Sequence, residues 1–335
     1  MKILILGRLD GWMGVHMQQY ANGFRQLNHD VELIDYHIYC QKKFRLKSLF
    51  GGKKEAQINE RTFQFKLVLN DIKPDVIIFT GANLKFNFSD LRENTNAELV
   101  YVDMDGPASS YFKSDLSWIN ALDLVATVSM ASQRVLNAEG YDQVVYLPHG
   151  VDTTYYQPLS LNASQLQKFT SPIAFVGKPS GRRERYLEPL IDKGLTVWGG
   201  RWSNGKHPKF ESCVKDKKNI IGADLNDLYN ATDIVLNILQ RDAFSEQNTI
   251  LSLQVFAIPA SGSCLITEWV EELDAAFDVG EEVLTYRSAD ELYEHVETLQ
   301  SNPSRIKALA SNSRARCVSD HTHAQRSKTL LHYFE

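Results

Sequence analysis

The fold is decided at the stretch Tyr146-Leu-Pro-His-Gly-Val-Asp-Thr-Thr-Tyr-Tyr-Gln-Pro158. The apolar run that enters it stops at Pro148, and Gly150 then favours a turn. Proline donates no backbone hydrogen bond, and glycine tolerates positive φ. Asp152 and the two threonines after it favour local side-chain-to-backbone hydrogen bonds, and Pro158 closes the segment. Strand and helix patterns alternate on both sides. We therefore interpret the stretch as a hinge between two α/β domains, with a working cleft between them.

Length and composition agree with two globular domains. At 335 residues the chain is long for one domain, and its 43% hydrophobic and 23% charged residues are ordinary for a protein with two cores. The net charge of −5 argues against general nucleic-acid binding. The four cysteines show no CxxC spacing, which favours reduced thiols in a cytoplasmic protein over a disulfide framework or a zinc site. The apolar start, Met1 to Leu6, is too short for the core of a signal peptide, and no later run is long enough to span a bilayer.

The amino-terminal half opens with a βαβ pattern. Ile3 to Leu6 is a continuous apolar run ending at Gly7, which is typical of a strand buried on both faces of a parallel sheet. We predict a loop over residues 7–14, a helix over 15–27 and a second strand over 31–34. The loop carries glycines spaced GxxxGxxG rather than GxGxxG, and no dinucleotide fingerprint follows. It therefore favours a ligand other than NAD.

An acidic segment follows a predicted strand in the same half. Asp103-Met-Asp-Gly-Pro107 comes directly after Leu99 to Val102, and it resembles the DxD motif by which one class of sugar transferases holds a divalent metal and a nucleotide diphosphate. Carboxylates in this position can chelate Mg²⁺ or Mn²⁺, or they can face a cleft without a metal. A strand followed by acidic residues and Gly-Pro is also a common turn. These alternatives stay open.

A basic segment interrupts the first half over residues 42–54, where lysines and an arginine alternate with apolar side chains. One interpretation is a solvated, mobile insertion. The other is a basic amphipathic patch that contacts an anionic acceptor or the surface of a membrane. The sequence does not choose between the two.

The second half repeats the opening pattern of the first. Pro172 to Gly177 reads as a strand that ends in glycine, and Lys178-Pro-Ser-Gly-Arg-Arg-Glu-Arg185 then opens a helix. Basic side chains and free backbone N–H groups at a helix start form an anion site suited to a diphosphate. A basic helix start exposed to solvent is the alternative. Further strands are predicted over 195–198 and 233–238, and Asp224 is expected to cap a short helix.

Four stretches of the second half carry a resemblance to a known family. They are Leu147 to Pro158, Phe175 to Arg183, Val255 to Glu268, and Gly280 to Arg326. In this order and spacing they resemble the two-Rossmann (GT-B fold) glycosyltransferases, and most closely the spore-maturation, CgeB-like family of glycosyltransferase-like proteins. The resemblance implies two Rossmann-like α/β domains that face a central cleft. Residues 1–150 would form the acceptor domain, residues 151–320 the nucleotide-sugar donor domain, and residues 321–335 a helix that in this fold often crosses back to the first domain.

The resemblance also implies which residues hold the donor. They are Gly177, Lys178, Arg182, Arg183, Ile221, Gly222, Phe256, Ser261, Gly262 and Ser263. Among them Gly177, Lys178 and Arg183 are expected to face the diphosphate. The backbone of 221–222 is expected to edge the base, and residues 261–263 to pass close to the donor.

One position departs from the family pattern. The acid that typically holds the ribose is replaced by Ala257, whose methyl group can accept no hydrogen bond. Either another residue such as Glu246 or Gln254 binds the ribose, or the donor is unusual, or activity is lost. In the last case the chain would be a non-catalytic binding subunit that recognises a glycan or a partner transferase. Another enzyme on this fold, such as a nucleotide-sugar epimerase, also stays open.

Sugar transfer from a nucleotide diphosphate needs charge stabilisation on the leaving group and a positioned acceptor hydroxyl. The basic loop can supply the first without a metal, so no cofactor is expected beyond the nucleotide-sugar co-substrate. An inverting enzyme also needs a general base from the first domain, whereas a retaining enzyme can use the donor phosphate. The candidate bases are Asp105, Asp103, Asp10 and His16. His321 and His323 do not share a helical face, so packing explains them better than a metal pair.

Overall fold

The computed structural model describes residues 1–35, 53–81, 86–104, 116–202, 206–216, 220–239 and 250–334. The chain divides into two compact units. The first is built from Met1–His149 and the carboxyl-terminal His323–Glu335, and the second from Gly150–Glu246 and Leu251–Thr322. Among the described helices, none is long and apolar enough to cross a membrane. The predicted contact of 42–54 with a membrane or an acceptor concerns side chains outside the described residues.

Strands and helices alternate along most of the described chain. The strands are β1 (Lys2–Gly7), β2 (Asp30–Asp35), β3 (Val76–Thr80), β4 (Glu98–Asp103), β5 (Leu124–Thr127), β6 (Val144–Tyr146), β7 (Ser171–Val176), β8 (Leu195–Trp198), β9 (Val214–Asp216), β10 (Thr232–Asn237), β11 (Cys264–Glu268) and β12 (Leu284–Tyr286). The helices are α1 (Gly11–Gln26), α2 (Lys53–Ile72), α3 (Phe88–Glu93), α4 (Met130–Ala138), α5 (Ala163–Phe169), α6 (Gly181–Leu187), α7 (Ala223–Asn230), α8 (Leu253–Ala260), α9 (Glu271–Ala276), α10 (Ala289–Gln300), α11 (Pro303–Asp320) and α12 (His323–Leu331).

The first unit is a parallel sheet of six strands in the order β2-β1-β3-β4-β5-β6. Its strand β1, which pairs with a neighbour on each side, shows why the sequence there is continuously apolar. Leu4 and Leu6 pack into the hydrophobic cluster on one face, and Ile3 and Ile5 pack into the cluster on the other. A strand covered on both faces needs apolar side chains at every position. α12 packs beside α1 within this unit.

The second unit is also a parallel sheet of six strands, in the order β12-β11-β10-β7-β8-β9. Here β7 is covered on both faces in the same way, with Ile173 and Phe175 in one cluster and Ala174 and Val176 in the other. The chain adds β8 and β9 on one side of β7, and β10, β11 and β12 on the other. The direction of addition therefore reverses between β7 and β10.

Two local predictions are wrong. The first helix begins at Gly11 rather than at Val15, so Gly14 lies inside α1 and not in a loop. A Cβ atom at Gly14 would lie 2.1 Å from the carbonyl oxygen of Leu9, which explains a glycine at that position. The short helix α7 is capped by Gly222, whose φ of 70° favours glycine, and Asp224 lies within the first turn, where it forms an ion pair with Lys168.

Candidate functional site

The crevice between the carboxyl ends of β7 and β10 is the candidate ligand site of the second unit. In an open parallel sheet, the loops that follow two neighbouring strands diverge where the strand order reverses, and ligands bind in the resulting crevice. The loop after β7 begins at Gly177, whose N–H donates to the carbonyl of Trp198 (2.9 Å). The indole N–H of Trp202 donates to the carbonyl of Gly177 (2.7 Å). A Cβ atom at Gly177 would lie 2.8 Å from the ring of Phe175, so a glycine is needed for this close packing.

Arg183 ties the two sides of this crevice together. Its Nε and Nη2 donate to the carbonyl of Ile238, beyond β10, at 3.1 and 2.8 Å. Its Nη1 donates to the carbonyl of Lys178, in the loop after β7, at 2.9 Å. The guanidinium is buried over the ring of Phe175, and the loss of solvation lowers the pKa of Arg183 to about 10. The side chain is therefore committed to backbone carbonyls on both sides of the crevice.

Arg182 makes the neighbouring connection. Its guanidinium forms a bidentate ion pair with Glu268, the last residue of β11, at 2.9 and 2.5 Å. It also donates to the carbonyl of Leu239 (3.3 Å) and lies over the ring of Tyr186. Glu268 is almost fully buried, with 5% of its side chain exposed. Bidentate geometry makes this a strong arginine–carboxylate contact. Sequence reasoning gave Glu268 no role, although an acid at the carboxyl end of a strand was the signal that singled out Asp103.

A polar network completes the same edge of the sheet. The amide of Asn237, at the end of β10, donates to the hydroxyl of Thr267 (2.8 Å) and accepts from Ser252 (3.1 Å). The hydroxyl of Tyr286 donates to the carbonyl of Asn237 (3.1 Å). Gln254 donates to the carbonyl of Val176, the last residue of β7, at 3.2 Å. The carboxyl ends of four adjacent strands are thus joined by side chains.

Lys178 differs from the two arginines. Its side chain is exposed at the mouth of the crevice, and among the described residues no acceptor lies within hydrogen-bond distance of its ammonium group. A compact ammonium group that is not already paired can bind an incoming anion without first breaking another contact. Of the three basic side chains predicted to bind the donor, Lys178 is the exposed one, and Arg182 and Arg183 contact protein groups around the crevice.

The other predicted donor residues lie in three places. Ile221 and Gly222 precede α7 and lie on the carboxyl side of the sheet, where Ile221 is exposed. Residues 261–263 lie after α8 and before β11, which places them at the amino edge of the parallel sheet, opposite the β7–β10 crevice. Phe256 and Ala257 are buried inside α8. The structure therefore does not bring Phe256, Ser261, Gly262 and Ser263 together with Gly177 and Lys178, because α8 spans the sheet from one edge to the other.

The hydroxyl groups at that amino edge have structural partners. Ser261 donates to the side-chain oxygen of Asn226 (2.7 Å), and Ser263 donates to the carbonyl of Tyr229. These contacts hold α8 against α7. They explain the serines without a ligand.

The candidate bases of the first unit occupy different environments. Asp10 precedes α1 and pairs with Arg8, with 60% of its side chain exposed. Asp103 ends β4, is buried, and accepts a hydrogen bond from Thr127 (3.1 Å). His16 lies one turn into α1 and is buried, which lowers its pKa to about 4. Asp105 lies outside the described residues.

The described residues contain no group of three histidine, cysteine, aspartate or glutamate side chains arranged to hold a metal ion. The described cysteines, Cys213, Cys264 and Cys317, are buried thiols that form no disulfide with one another. The DxD alternative includes Asp105 and is therefore not tested by this geometry.

Solved structures match the whole of this architecture. Sucrose-phosphate synthase from Thermosynechococcus elongatus superposes with a TM-score of 0.69 at 14% identity, over 99% of this chain and 98% of that one. The Anabaena protein HepE, solved with UDP and glucose, superposes with a TM-score of 0.68 at 14% identity, over 100% and 99%. The chain has the GT-B fold. A glycosyltransferase from Rickettsia africae shares this GT-B fold, with a TM-score of 0.69 at 16% identity over 99% and 97% of the two chains.

Comparison of the sequence with known protein families gives a match to part of the chain. Residues 182–332 match the family model described as glycosyl transferase-like. That segment begins at Arg182, in the first turn of α6, and it continues through α8 to α12. A search of curated proteins finds no significant match.

Proposed function

We propose that this chain is a glycosyltransferase that moves a sugar from a nucleoside diphosphate sugar to an acceptor hydroxyl. The observation that carries the proposal is the β7–β10 crevice, where an exposed lysine lies beside a loop and strand ends that two partly buried arginine contacts hold in place. The match of residues 182–332 to the glycosyl transferase-like family and the GT-B fold support it. Within the transferases, the CgeB-like subfamily and a cytoplasmic location remain our predictions.

Lys178 is proposed to bind the diphosphate of the donor. As the bond from the sugar to the diphosphate breaks, negative charge grows on the leaving oxygen, and a nearby ammonium group stabilises that charge. Arg183 and Arg182 act indirectly, because they fix the backbone of the β7 loop and the ends of β10 and β11 around the crevice. This supply of positive charge needs no metal ion, so we propose metal-independent transfer.

UDP is the nucleotide to test first. HepE, with the same fold, was solved with UDP, with UDP and glucose, and with UDP-glucose. The base of the donor of this chain is proposed by that likeness alone. Gln254 is our candidate ribose ligand in place of the family acid, since its amide lies at the end of β7 while Ala257 is enclosed in the core.

Asp10 is the described candidate base that we favour. Its carboxylate lies at the surface near the carboxyl end of β1, whereas Asp103 and His16 are buried. A general base must reach the proton of the acceptor hydroxyl directly or through one water molecule. Asp105 remains a candidate from the sequence.

A second function stays under consideration because of Ala257. A GT-B protein that lacks the usual ribose acid can serve as a non-catalytic subunit that recognises a glycan or a partner transferase. An assay for transfer of a sugar to an added acceptor distinguishes these alternatives. The proposed transferase transfers the sugar, whereas a non-catalytic subunit or an epimerase does not.

The test is calorimetric binding of UDP, GDP, dTDP, CDP and ADP to the wild-type protein, repeated with Lys178→Ala. We expect one diphosphate to bind selectively. Loss of one charge-assisted hydrogen bond, about 1.5–3 kcal/mol, should weaken it by roughly 10- to 150-fold in Lys178→Ala. The matched control is Lys307→Ala, which removes an exposed lysine from α11 in the same unit. Absence of binding by every nucleotide would overturn the transferase, and equal weakening in both variants would reject the role of Lys178.

A further inference from the structure

A group of polar side chains, all buried except the partly buried His149, lies in the first unit, outside the crevice and its proposed chemistry. We call it the α1–α12 polar cluster, and its members are His16, Gln19, Tyr20, His149, His323 and Ser327. The α1 members are spaced at i, i+3 and i+4, and the α12 members at i and i+4, so each set occupies one helical face. The ring centroid of His16 lies 5.5 Å from that of His323 and 5.7 Å from that of His149.

The members from the two helices are almost completely enclosed. Exposure is 3% for His16, 3% for Gln19, 4% for Tyr20, 2% for His323 and 0% for Ser327. One end of the cluster is closed by backbone contact, because a Cβ atom at Gly23 would lie 2.6 Å from the backbone carbonyl of His323. The cluster is therefore an internal feature of the helix interface.

Seven nitrogen and oxygen atoms of this cluster have no hydrogen-bond partner in the part of the chain that the structure describes. They are Nδ1 of His16, both amide atoms of Gln19, the hydroxyl oxygen of Tyr20, both ring nitrogens of His323 and the hydroxyl oxygen of Ser327. Buried polar atoms in folded proteins are nearly always satisfied, and each exception costs stability. So many unpaired atoms in one place indicate that something else supplies their hydrogen bonds.

The hydrogen-bonding groups of the cluster indicate which kind of ligand fits it. Burial lowers the pKa of His16, and burial together with the charges of His16 and Arg326 lowers that of His149, so both rings are neutral at pH 7. Neutral imidazole, amide and hydroxyl groups each have both a hydrogen-bond donor and an acceptor. A metal ion fits poorly, because the described side chains offer no suitable set of three ligands. A small molecule that both donates and accepts matches the set, and water is the smallest of these.

We propose that the α1–α12 polar cluster is a built internal water site, in which ordered water molecules bridge α1 to α12. The bridges would link Gln19 and Tyr20 on one helix to His323 and Ser327 on the other. They would also fix the chain just before the second unit begins, since Arg326 on α12 donates to the carbonyls of Pro148 (3.0 Å) and His149 (3.3 Å).

The proposal is tested by removing single hydroxyl groups with Tyr20→Phe and Ser327→Ala. If water bridges these groups, each variant loses a satisfied hydrogen bond and melts at a lower temperature than the wild type. The double variant should then lose less than the sum of the two, because both hydroxyls share one network. If the site is dry, each substitution deletes an unsatisfied buried group and the melting temperature rises, which would overturn the proposal. Tyr101→Phe is the control, since its hydroxyl donates directly to the carbonyl of Gly81 (3.3 Å) and calibrates the loss of one ordinary hydrogen bond.

A crystal structure at a resolution that shows ordered water provides an independent readout. Density within hydrogen-bond distance of the Gln19 amide and the His323 ring, without anomalous signal, supports the proposal. Anomalous scattering from a metal ion, or close packing without density, refutes it. These outcomes do not depend on whether the protein transfers sugars.

Discussion

Replacement of Arg183 by alanine is the most direct test of how the crevice is held open. The structure assigns its guanidinium to the carbonyls of Ile238 and Lys178. In Arg183→Ala the buried carbonyl of Ile238 loses two donors, which costs about 1–3 kcal/mol for an unsatisfied acceptor, and the contact with Lys178 costs about 0.5–1.5 kcal/mol more. The sum is roughly 1.5–4.5 kcal/mol, so a unit of this size should melt about 3–18 °C lower.

The assay is thermal unfolding without nucleotide, followed by circular dichroism. Arg185→Ala is the matched control, because Arg185 lies exposed on the same helix α6 and its loss should change stability by less than about 0.5 kcal/mol. The melting temperature of Arg183→Lys should fall between those of the wild type and Arg183→Ala. A single ammonium group cannot reproduce the contacts of a planar guanidinium group with two carbonyls. Equal melting temperatures for Arg183→Ala and Arg185→Ala would refute the bracing role. In that case a loss of nucleotide binding in Arg183→Ala would instead indicate a direct diphosphate ligand.

The remaining predictions concern the ion pair between Arg182 and Glu268 and the loss of stability at acidic pH. Glu268→Gln should destabilise the protein by about 3 kcal/mol, because the partly buried guanidinium of Arg182 loses its buried counter-charge, whereas exposed Glu294→Gln should melt as the wild type does. A normal melting temperature for Glu268→Gln would show that solvent compensates Arg182. Burial lowers the pKa of His16 from 6.5 to about 4 in the folded state. The contribution of His16 to the free energy of unfolding is therefore fully present above pH 6.5 and is progressively lost as the pH falls toward about 4. The reason is that the unfolded state binds the proton at a higher pH than the folded state does. The loss is about 3 kcal/mol for this group, and His149 acts in the same direction. Urea unfolding between pH 7 and pH 4 should therefore show a smaller decline in His16→Gln, and an unchanged decline would contradict the assignment.

The contacts of Arg182 and Arg183 with protein groups affect how a weak affinity for nucleotides would be interpreted. Lys178 is exposed while Arg182 and Arg183 are committed to protein groups, so the crevice offers one side-chain cation from these three. Binding of a diphosphate would then depend strongly on Lys178 and on backbone N–H groups. A lost ribose acid at Ala257 would weaken the donor further unless Gln254 replaces it.

The sequence by itself determined the elements and their order. Strand β8, Leu195–Trp198, lies where the pattern predicts it, and strands β2 and β10 differ from the predicted ranges by only one residue at each end. The reason is local: apolar periodicity, glycine and proline act over a few neighbouring residues. The likeness of the second half to GT-B transferases came from motifs that retain their spacing along the chain.

Only the tertiary structure decided what the side chains do. The sequence places Arg183 in the same basic segment as Lys178 and predicts that both face a diphosphate. In the folded chain the guanidinium of Arg183 instead donates to the carbonyl of Ile238, just beyond β10. Likewise His16 and His323 are far apart in sequence and meet only because α12 packs on α1. Hydrogen-bond partners and burial depend on elements brought together by folding, and a local pattern holds no information about which element will arrive.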